Sequence, residues 1–246
     1  MSGRHKLAVL LAEFVGTFVL ASAMLAMLVR TNFEFFSAIA AAVVYGGFYL
    51  AFGAVSGSHL NPAVTISQWT LRKISSLHAI AYIAVQVLAG YAALKAGEYF
   101  LGQALSKTAT GGLNWKVLIA EGIGGIVFGM AIGVVAFKKD LETSKKAAIL
   151  AVGLFGGILV ASLAGNGLLN PAVAIAVNSV SWAYIVGPIV GLLLGANIYN
   201  LIFSDIAVKA TAAASKAPVS KAAAPAVKKS PVKAKPAAKP KAKAKK

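Results

Sequence analysis

Two asparagines, Asn61 and Asn170, stand in the same short string within an apolar chain. The string Leu-Asn-Pro-Ala-Val occupies residues 60–64 and again residues 169–173. Asn is a preferred helix N-cap, and Pro is favoured at the first helical position because no N–H is needed there. Each asparagine therefore predicts a helix start with unpaired N–H groups and a positive dipole end. If two such helix starts met inside a membrane, their positive dipole ends would create a region of positive potential. The two side-chain amides would be hydrogen-bond donors in that region. N-capping alone is the structural alternative, and the same residues can serve both roles.

No other constellation of reactive side chains emerges from the sequence. The chain has no cysteine, which excludes disulfides, thiolate metal sites and cysteine nucleophiles. Its three histidines, His5, His59 and His78, are too scattered to predict a metal site. Because neither a Ser-His-Asp set nor a pair of carboxylates stands out, we expect neither an enzyme nor a bound cofactor or metal.

The elements that must position the asparagines are membrane spans. Of the 246 residues, 59% are hydrophobic and only 13% are charged. Apolar segments long enough to cross a bilayer recur at 7–29, 35–55, 77–94, 117–137, 147–165 and 182–204. Glu13 and the unbroken apolar run beyond it favour a retained first span over a cleaved signal peptide.

The basic residues predict the orientation of these spans. If six spans are threaded, 20 of the 24 Lys and Arg residues fall on one side of the membrane and 4 on the other. Cytoplasmic loops carry the excess of Lys and Arg in membrane proteins. We therefore expect a multi-pass protein of the cell (plasma) membrane, with the N- and C-termini cytoplasmic.

Residues 207–246 differ from the rest of the chain. They contain twelve lysines, five prolines and no acid. Because this composition cannot bury a core, we expect a disordered cytoplasmic tail. Three readings of the tail stay open: a solvated appendage, a segment that contacts anionic lipid, or a segment that binds nucleic acid without sequence specificity.

The first 206 residues contain an internal duplication. The string Ala-Glu-x-x-Gly aligns Glu13 with Glu121, and each is followed by its asparagine after 48 and 49 positions respectively. We place repeat 1 at about 5–105 and repeat 2 at about 113–206 within one membrane domain, residues 1–206. Because each repeat carries three spans, an odd number, the two halves enter from opposite sides and form an inverted repeat.

The segment after each asparagine is too short to span. Residues 62–71 make about 15 Å of helix, half of a hydrocarbon core of about 30 Å, and residues 171–180 are similar. These lengths predict two re-entrant half-helices that meet near the midplane. Irregular backbone at that depth is tolerated only where it lines a cavity or is buried in protein. Residues 56–58 and 165–167, rich in Gly and Ser, suit segments whose carbonyls face a pore.

These features resemble the aquaporin and glycerol-facilitator family, the major intrinsic proteins, over about residues 5–204. The resemblance rests on SGSHLNPAVT (56–65), GNGLLNPAVA (165–174), both Ala-Glu-x-x-Gly spans, Tyr82-x-x-x-Gln86 and Trp182-x-Tyr184-x-x-Gly187-Pro188. It implies an all-α membrane protein, an aquaporin-like bundle of six transmembrane helices plus two re-entrant half-helices, built as an inverted repeat of two three-helix halves. It also implies a homotetramer in the lipid bilayer, in which each subunit passively conducts water or small uncharged solutes such as glycerol and excludes ions.

The resemblance also assigns roles to residues. The implied pore centre comprises Asn61, Pro62, Ala63, Asn170, Pro171 and Ala172, and the implied outer constriction comprises Ala41, Ile158, Gly167 and Val173. Val173 stands where most members carry Arg, Ala41 where an aromatic residue is usual and Ile158 where His or Gly is usual. Because Val offers no charge and no donor, we expect an apolar, wider mouth, which puts strict water selectivity and full protection against ions in doubt.

Three further residues are expected to support the two motif loops, the segments 56–61 and 165–170 that lead into each Asn-Pro-Ala string. Glu13 and Glu121 lie within apolar spans, where a carboxylate costs roughly 2.5–3.5 kcal/mol, so both must face the bundle interior. We expect them to accept hydrogen bonds from the backbone of the motif loops, with His59 packing in the first loop. Two other functions stay open. One is a secondary transporter that uses these carboxylates as a proton relay, and the other is a membrane anchor whose basic tail binds nucleic acid or anionic lipid.

Overall fold

Eight α-helices and one π-helical turn make up the part of the chain that the computed structural model describes, residues 3–31, 34–107, 112–138 and 140–204. The helices are α1 (Gly3–Thr31), α2 (Glu34–Ser56), α3 (Pro62–Thr70), α4 (Ser76–Leu101), α5 (Trp115–Phe137), α6 (Thr143–Ala161), α7 (Pro171–Ala176) and α8 (Trp182–Ile198), which the π-helical turn Tyr199–Phe203 continues. Six of them, all except α3 and α7, are long and apolar enough to cross a membrane. The predicted all-α class is confirmed, and the predicted basic tail lies outside the described residues.

The fifth span is displaced from its prediction. The sequence predicted 147–165, whereas α6 covers Thr143–Ala161. The first turn of α6 is charged, so hydropathy excludes it from the predicted span. It is helical nevertheless, since the N–H of Lys146 donates to the carbonyl of Glu142 at 3.0 Å. At the other end the apolar residues Leu163 and Ala164 lie in a turn that leads into the second motif loop. Span 77–94 is also longer than predicted, because α4 continues to Leu101 and ends at left-handed Gly102.

The second half-helix is shorter than predicted. The sequence suggested 171–180, but α7 ends at Ala176. Asn178 adopts a left-handed φ of 52°, and the N–H of Ser179 bonds back to the carbonyl of Ala174 at 2.9 Å. This is a Schellman ending, in which a left-handed residue lets the chain fold back and satisfy the last carbonyls. α3 ends in the same way around Arg72, so each re-entrant helix stops through its own local hydrogen bonds.

The six long helices enclose the two short ones. α1 packs against α2 and α4, α6 packs against α2 and α5, and α8 packs closely along α5. α3 lies against α4 and α8, whereas α7 lies against α4 and α1. The two half-helices contact each other inside the bundle. The N-terminus of α1 and the end of α8 lie on one face of this bundle, called here the N-terminal face, because six spans return the chain to its starting side.

Glycines let α5 and α8 approach as closely as backbones can. A Cβ at Gly125 would lie 3.0 Å from the Cα of Gly191, and a Cβ at Gly187 would lie 2.8 Å from the carbonyl oxygen of Leu118. Small residues permit such contact where no water is present to drive helices together. Both helices also contact the second motif loop, which follows α6: Glu121 of α5 accepts from the N–H of Leu168, and the hydroxyl of Tyr184 of α8 accepts from the N–H of Asn166.

Candidate functional site

The two asparagines cross-link the motif loops. The Nδ2 of Asn61 donates to the carbonyl of Leu169 at 2.8 Å, and the Nδ2 of Asn170 donates to the carbonyl of Leu60 at 2.9 Å. Both bonds join positions more than 100 residues apart in sequence. The N-terminal ends of the two half-helices therefore meet, and each loop is held by the asparagine of the other repeat.

Each asparagine also caps its own half-helix. Asn61 has an extended backbone with φ −162° and accepts from the N–H of Ala63 at 2.8 Å. Asn170, with φ −151°, accepts from the N–H of Ala172 at 2.9 Å. An amide nitrogen carries two N–H groups, and the structure gives each Nδ2 one acceptor among the described residues. One N–H of each amide thus remains for a small oxygen-bearing molecule.

Glu13 organises the first motif loop. Its Oε1 accepts from the Oγ of Ser56 at 2.7 Å and from the N–H of His59 at 2.9 Å. Its Oε2 accepts from the N–H of Leu60 at 2.8 Å and from the Nε2 of Gln86 at 2.9 Å. The carboxylate is completely buried, and charge-assisted bonds of this kind are roughly twice as strong as neutral ones.

Glu121 repeats this arrangement with fewer partners. Its Oε1 accepts from the N–H of Leu168 at 2.7 Å and its Oε2 from the N–H of Leu169 at 2.8 Å. It is also completely buried. Where repeat 1 has Ser56 beside its carboxylate, repeat 2 has Gly165, which brings no hydroxyl. The two supporting carboxylates predicted from the sequence therefore act alike on the backbone but differ in side-chain partners.

The same carboxylates hold an unusual backbone conformation. Leu60 has a φ of 52° and Leu169 a φ of 50°, both left-handed. For a residue other than glycine this conformation costs roughly 1–2 kcal/mol. The N–H of each leucine donates to the buried glutamate of its own repeat. The left-handed turn directs the following asparagine toward the opposite loop. The strained backbone therefore serves to place the two side-chain amides.

Thr65 and Gln86, to which the sequence assigns no role, complete the first loop together with His59. Thr65 Oγ1 donates to the carbonyl of Asn61 at 3.1 Å and lies 3.0 Å from Nε2 of Gln86. His59 places its Nδ1 3.2 Å from the same hydroxyl and packs edge-on against the ring of Tyr82. Gln86 was visible in the sequence as an isolated polar residue within an apolar span. Thr65 carried no such signal, because a threonine inside a short helix is unremarkable.

The four predicted constriction residues are all buried. Gly167 lies against Ile158: a Cβ there would sit 2.6 Å from the carbonyl oxygen of Ile158 and 3.1 Å from its Cγ2. Ala41, Ile158 and Val173 expose none of their surface, whereas Asn61 keeps 1% and Asn170 keeps 2%. None of these three side chains therefore borders a space wide enough for a water molecule in this conformation. The width of the mouth in an open state stays a prediction.

The remaining predicted pore-centre residues are buried as well: Pro62, Ala63, Pro171 and Ala172 form the first turns of the two half-helices. Within the described ranges no three His, Cys, Asp or Glu side chains gather closely enough to hold a metal ion. The site is thus a set of neutral amides, backbone groups and apolar walls, steadied by two carboxylates that are occupied by loop donors.

Comparison with known proteins identifies relatives of this chain. The family model described as Major intrinsic protein matches residues 2–199. "Aquaporin NIP3-1" of Oryza sativa subsp. japonica is 32% identical over 209 residues, which are 78% of this chain and 67% of that protein. "Glycerol uptake facilitator protein-like 6" of Lactiplantibacillus plantarum is 30% identical over 213 residues, 79% of this chain and 98% of that protein. The X-ray structure of the aquaglyceroporin from Plasmodium falciparum shares the fold with a TM-score of 0.62 at 16% identity, covering 82% of this chain and 98% of that chain.

Proposed function

Because this chain belongs to the major intrinsic protein family, and so is a multi-pass membrane channel for water or small solutes, we propose that its pore passes between Asn61 and Asn170. The observation that carries the proposal is the reciprocal pair of bonds from each asparagine to the opposite loop. These bonds fix both amides at the junction of the repeats and leave one N–H of each for a permeating oxygen. A water that offers its oxygen to both amides turns at the centre, which interrupts a hydrogen-bonded chain of waters.

The outer mouth determines which neutral molecules pass. Ala41, Ile158, Gly167 and Val173 bring no charge and no side-chain donor or acceptor, so only their backbone groups can form hydrogen bonds with a solute. An apolar mouth favours neutral solutes such as glycerol when it is wide and dewets when it is narrow. The names of the similar proteins include aquaporins and a glycerol uptake facilitator, and both water and glycerol are proposed substrates.

The two buried glutamates support a channel over a proton-coupled transporter. A relay carboxylate must exchange its proton with a neighbour during transport. Glu13 instead accepts four hydrogen bonds that hold the first loop, and Glu121 accepts two backbone bonds that hold the second. Protonating either one would weaken the bonds that place the asparagines, because a neutral carboxyl accepts hydrogen bonds less strongly than a carboxylate.

The wider setting completes the proposal. Residues 1–206 form the channel, with repeat 1 at about 5–105 and repeat 2 at about 113–206, in a homotetramer of the plasma membrane with both termini cytoplasmic. Residues 207–246 form a cytoplasmic tail whose twelve lysines attract anionic lipid or nucleic acid. The tail is an appendage of the channel in this proposal.

Stopped-flow light scattering of proteoliposomes tests the proposal. Vesicles are first shrunk with an impermeant osmolyte and then challenged with glycerol. Shrinkage faster than that of empty liposomes, followed by fast re-swelling in glycerol, is expected for a neutral-solute pore. Shrinkage without re-swelling would restrict the substrate to water. The absence of any flux above empty liposomes, in protein shown to be folded, would overturn the channel proposal.

A further inference from the structure

A buried aromatic pair lies inside the bundle beside the first motif loop. Tyr45 of α2 and Phe128 of α5 meet edge to face, with ring centroids 5.4 Å apart and planes at 87°. Their exposed fractions are 1% and 0%. α6 packs against both parent helices, so the two rings meet on the inner side of α6 rather than on the membrane surface. Neither residue belongs to the predicted pore centre or to the predicted outer constriction.

The hydroxyl of Tyr45 is hydrogen-bonded to a backbone carbonyl of the first motif loop. It donates to the carbonyl of His59 at 3.1 Å, two residues before Asn61. Along this loop, the carbonyls of Ser56 and Leu60 also accept protein donors, from Tyr82 and Asn170 respectively. Carbonyls of an irregular segment that lines a pore are the acceptors that a permeating O–H group uses. Tyr45 therefore occupies one of the two lone pairs of this carbonyl, and its ring is buried against Phe128.

The inverted repeat shows that this arrangement exists on one side only. Tyr45 precedes Asn61 by 16 positions, as Leu154 precedes Asn170, and Phe128 follows Glu121 by 7 positions, as Leu20 follows Glu13. The equivalent pair is thus Leu154 and Leu20, two buried leucines without a hydroxyl. The carbonyl of Leu168, the counterpart of His59, accepts no hydrogen bond from the described residues. The two halves of the passage consequently differ in polarity and in the bulk that borders them.

We propose that Tyr45 is a specificity-determining residue of this channel: with Phe128 it forms a second constriction, beside the asparagine pair toward the N-terminal face. This inference rests on the proposed pore between Asn61 and Asn170. The aromatic pair narrows the passage on that side. Because the Tyr45 hydroxyl takes one of the two lone pairs of the His59 carbonyl, a larger solute finds fewer hydrogen bonds to compensate for its dehydration. The constriction slows glycerol more than water, because the smaller molecule needs less room and fewer partners.

The test compares three substitutions in the osmotic assay, using the full-length chain in proteoliposomes. Tyr45→Ala removes the ring and the hydroxyl, and glycerol flux is expected to rise at least ~10-fold, a barrier reduction of about 1.4 kcal/mol, with a smaller rise for water. Tyr45→Leu introduces the residue of the other repeat and keeps more packing, so it preserves the test if the alanine variant does not fold. Tyr49→Ala is the matched control, since Tyr49 lies one turn further along α2 and is only half-buried.

The outcomes separate this inference from the proposed function. Wild-type flux with unchanged glycerol-to-water ratios in both folded Tyr45 variants overturns the second constriction and leaves the channel intact. A silent wild type that conducts after Tyr45→Leu supports both, with Tyr45 as the barrier. Silence in the wild type and in both folded variants overturns the inference together with the channel. An equal rise in Tyr49→Ala would assign the effect to loosening of α2 and would also overturn it.

Discussion

The carboxylate of Glu13 holds the backbone N–H of Leu60 at 2.8 Å, and Leu60 is a left-handed residue with φ 52°. A side chain near the start of the chain thereby maintains the strained turn that aims Asn61 at the opposite loop. Glu121 does the same for Leu169. The placement of the two amides thus depends on two buried charges that never need to touch a permeating molecule.

The two carboxylates are predicted to contribute unequally to stability. Glu13→Gln replaces an acceptor with an amide nitrogen that must face loop donors, and it disturbs four bonds where Glu121→Gln disturbs two. Since a bond to a buried charge contributes about 1.5–3 kcal/mol, we expect a loss of about 3 kcal/mol or more for Glu13→Gln and roughly half of that for Glu121→Gln. Thermal unfolding in detergent, followed by tryptophan fluorescence, measures both, and equal losses would contradict the ranking.

Val173→Arg is predicted to reduce the flux of glycerol relative to water. The arginine would add a permanent charge and up to five donors at a position that is now apolar and completely buried. It would fill the mouth and restore a polar lining that water tolerates better than a three-carbon solute. The osmotic assay gives the ratio, and Val180→Arg is the control, because Val180 is 56% exposed. An unchanged ratio in the folded Val173 variant would show that the constriction is misplaced.

Gly90→Ala is predicted to weaken the contact between the repeats. A Cβ at Gly90 of α4 would lie 3.0 Å from the carbonyl carbon of Ala172 and would overlap its oxygen, so the second half-helix must shift. Overpacking of this kind costs about 1–3 kcal/mol. Gly47→Ala is the matched control, because nothing lies within 4 Å of a Cβ at Gly47. Melting temperatures of the two variants are compared, and a Gly90 variant as stable as the control would argue against a rigid junction.

Deletion of 207–246 is predicted to leave water and glycerol flux unchanged. Every residue assigned here to the pore centre or to a constriction precedes the end of the last span at Phe203. The segment adds twelve lysines, and interactions between solvent-exposed charges are screened beyond about 8 Å at physiological salt. Flux of the truncated protein in the osmotic assay, normalised to the amount reconstituted, checks this, and loss of flux would make the tail part of the channel.

The sequence was most informative where local chemistry decides the structure. The Asn-Pro pairs start helices at both predicted positions, because capping depends on the residues at the cap itself. The helix ends were less predictable. α7 stops at Ala176 because Asn178 turns left-handed, and nothing in the apolar run before Asn178 announces that turn. The first turn of α6 was missed for a different reason. The helix begins outside the apolar region, in charged residues that hydropathy does not assign to a span.

By itself, the sequence determined the membrane class, the duplication and the two helix starts, because these depend on hydropathy, spacing and local hydrogen bonding. The tertiary structure alone decided which groups the buried side chains reach. Glu13 and Gln86 are 73 positions apart and Asn61 and Leu169 are 108 apart, yet each pair shares a hydrogen bond. The hydrogen bond from Tyr45 to the carbonyl of His59 is also seen only in the tertiary structure. That bond gives a structural meaning to the difference between Tyr45 and its counterpart in repeat 2, Leu154, which has no hydroxyl. Such contacts depend on how helices from the two inverted halves pack together. No short-range pattern in the sequence encodes which residues of the two halves come into contact.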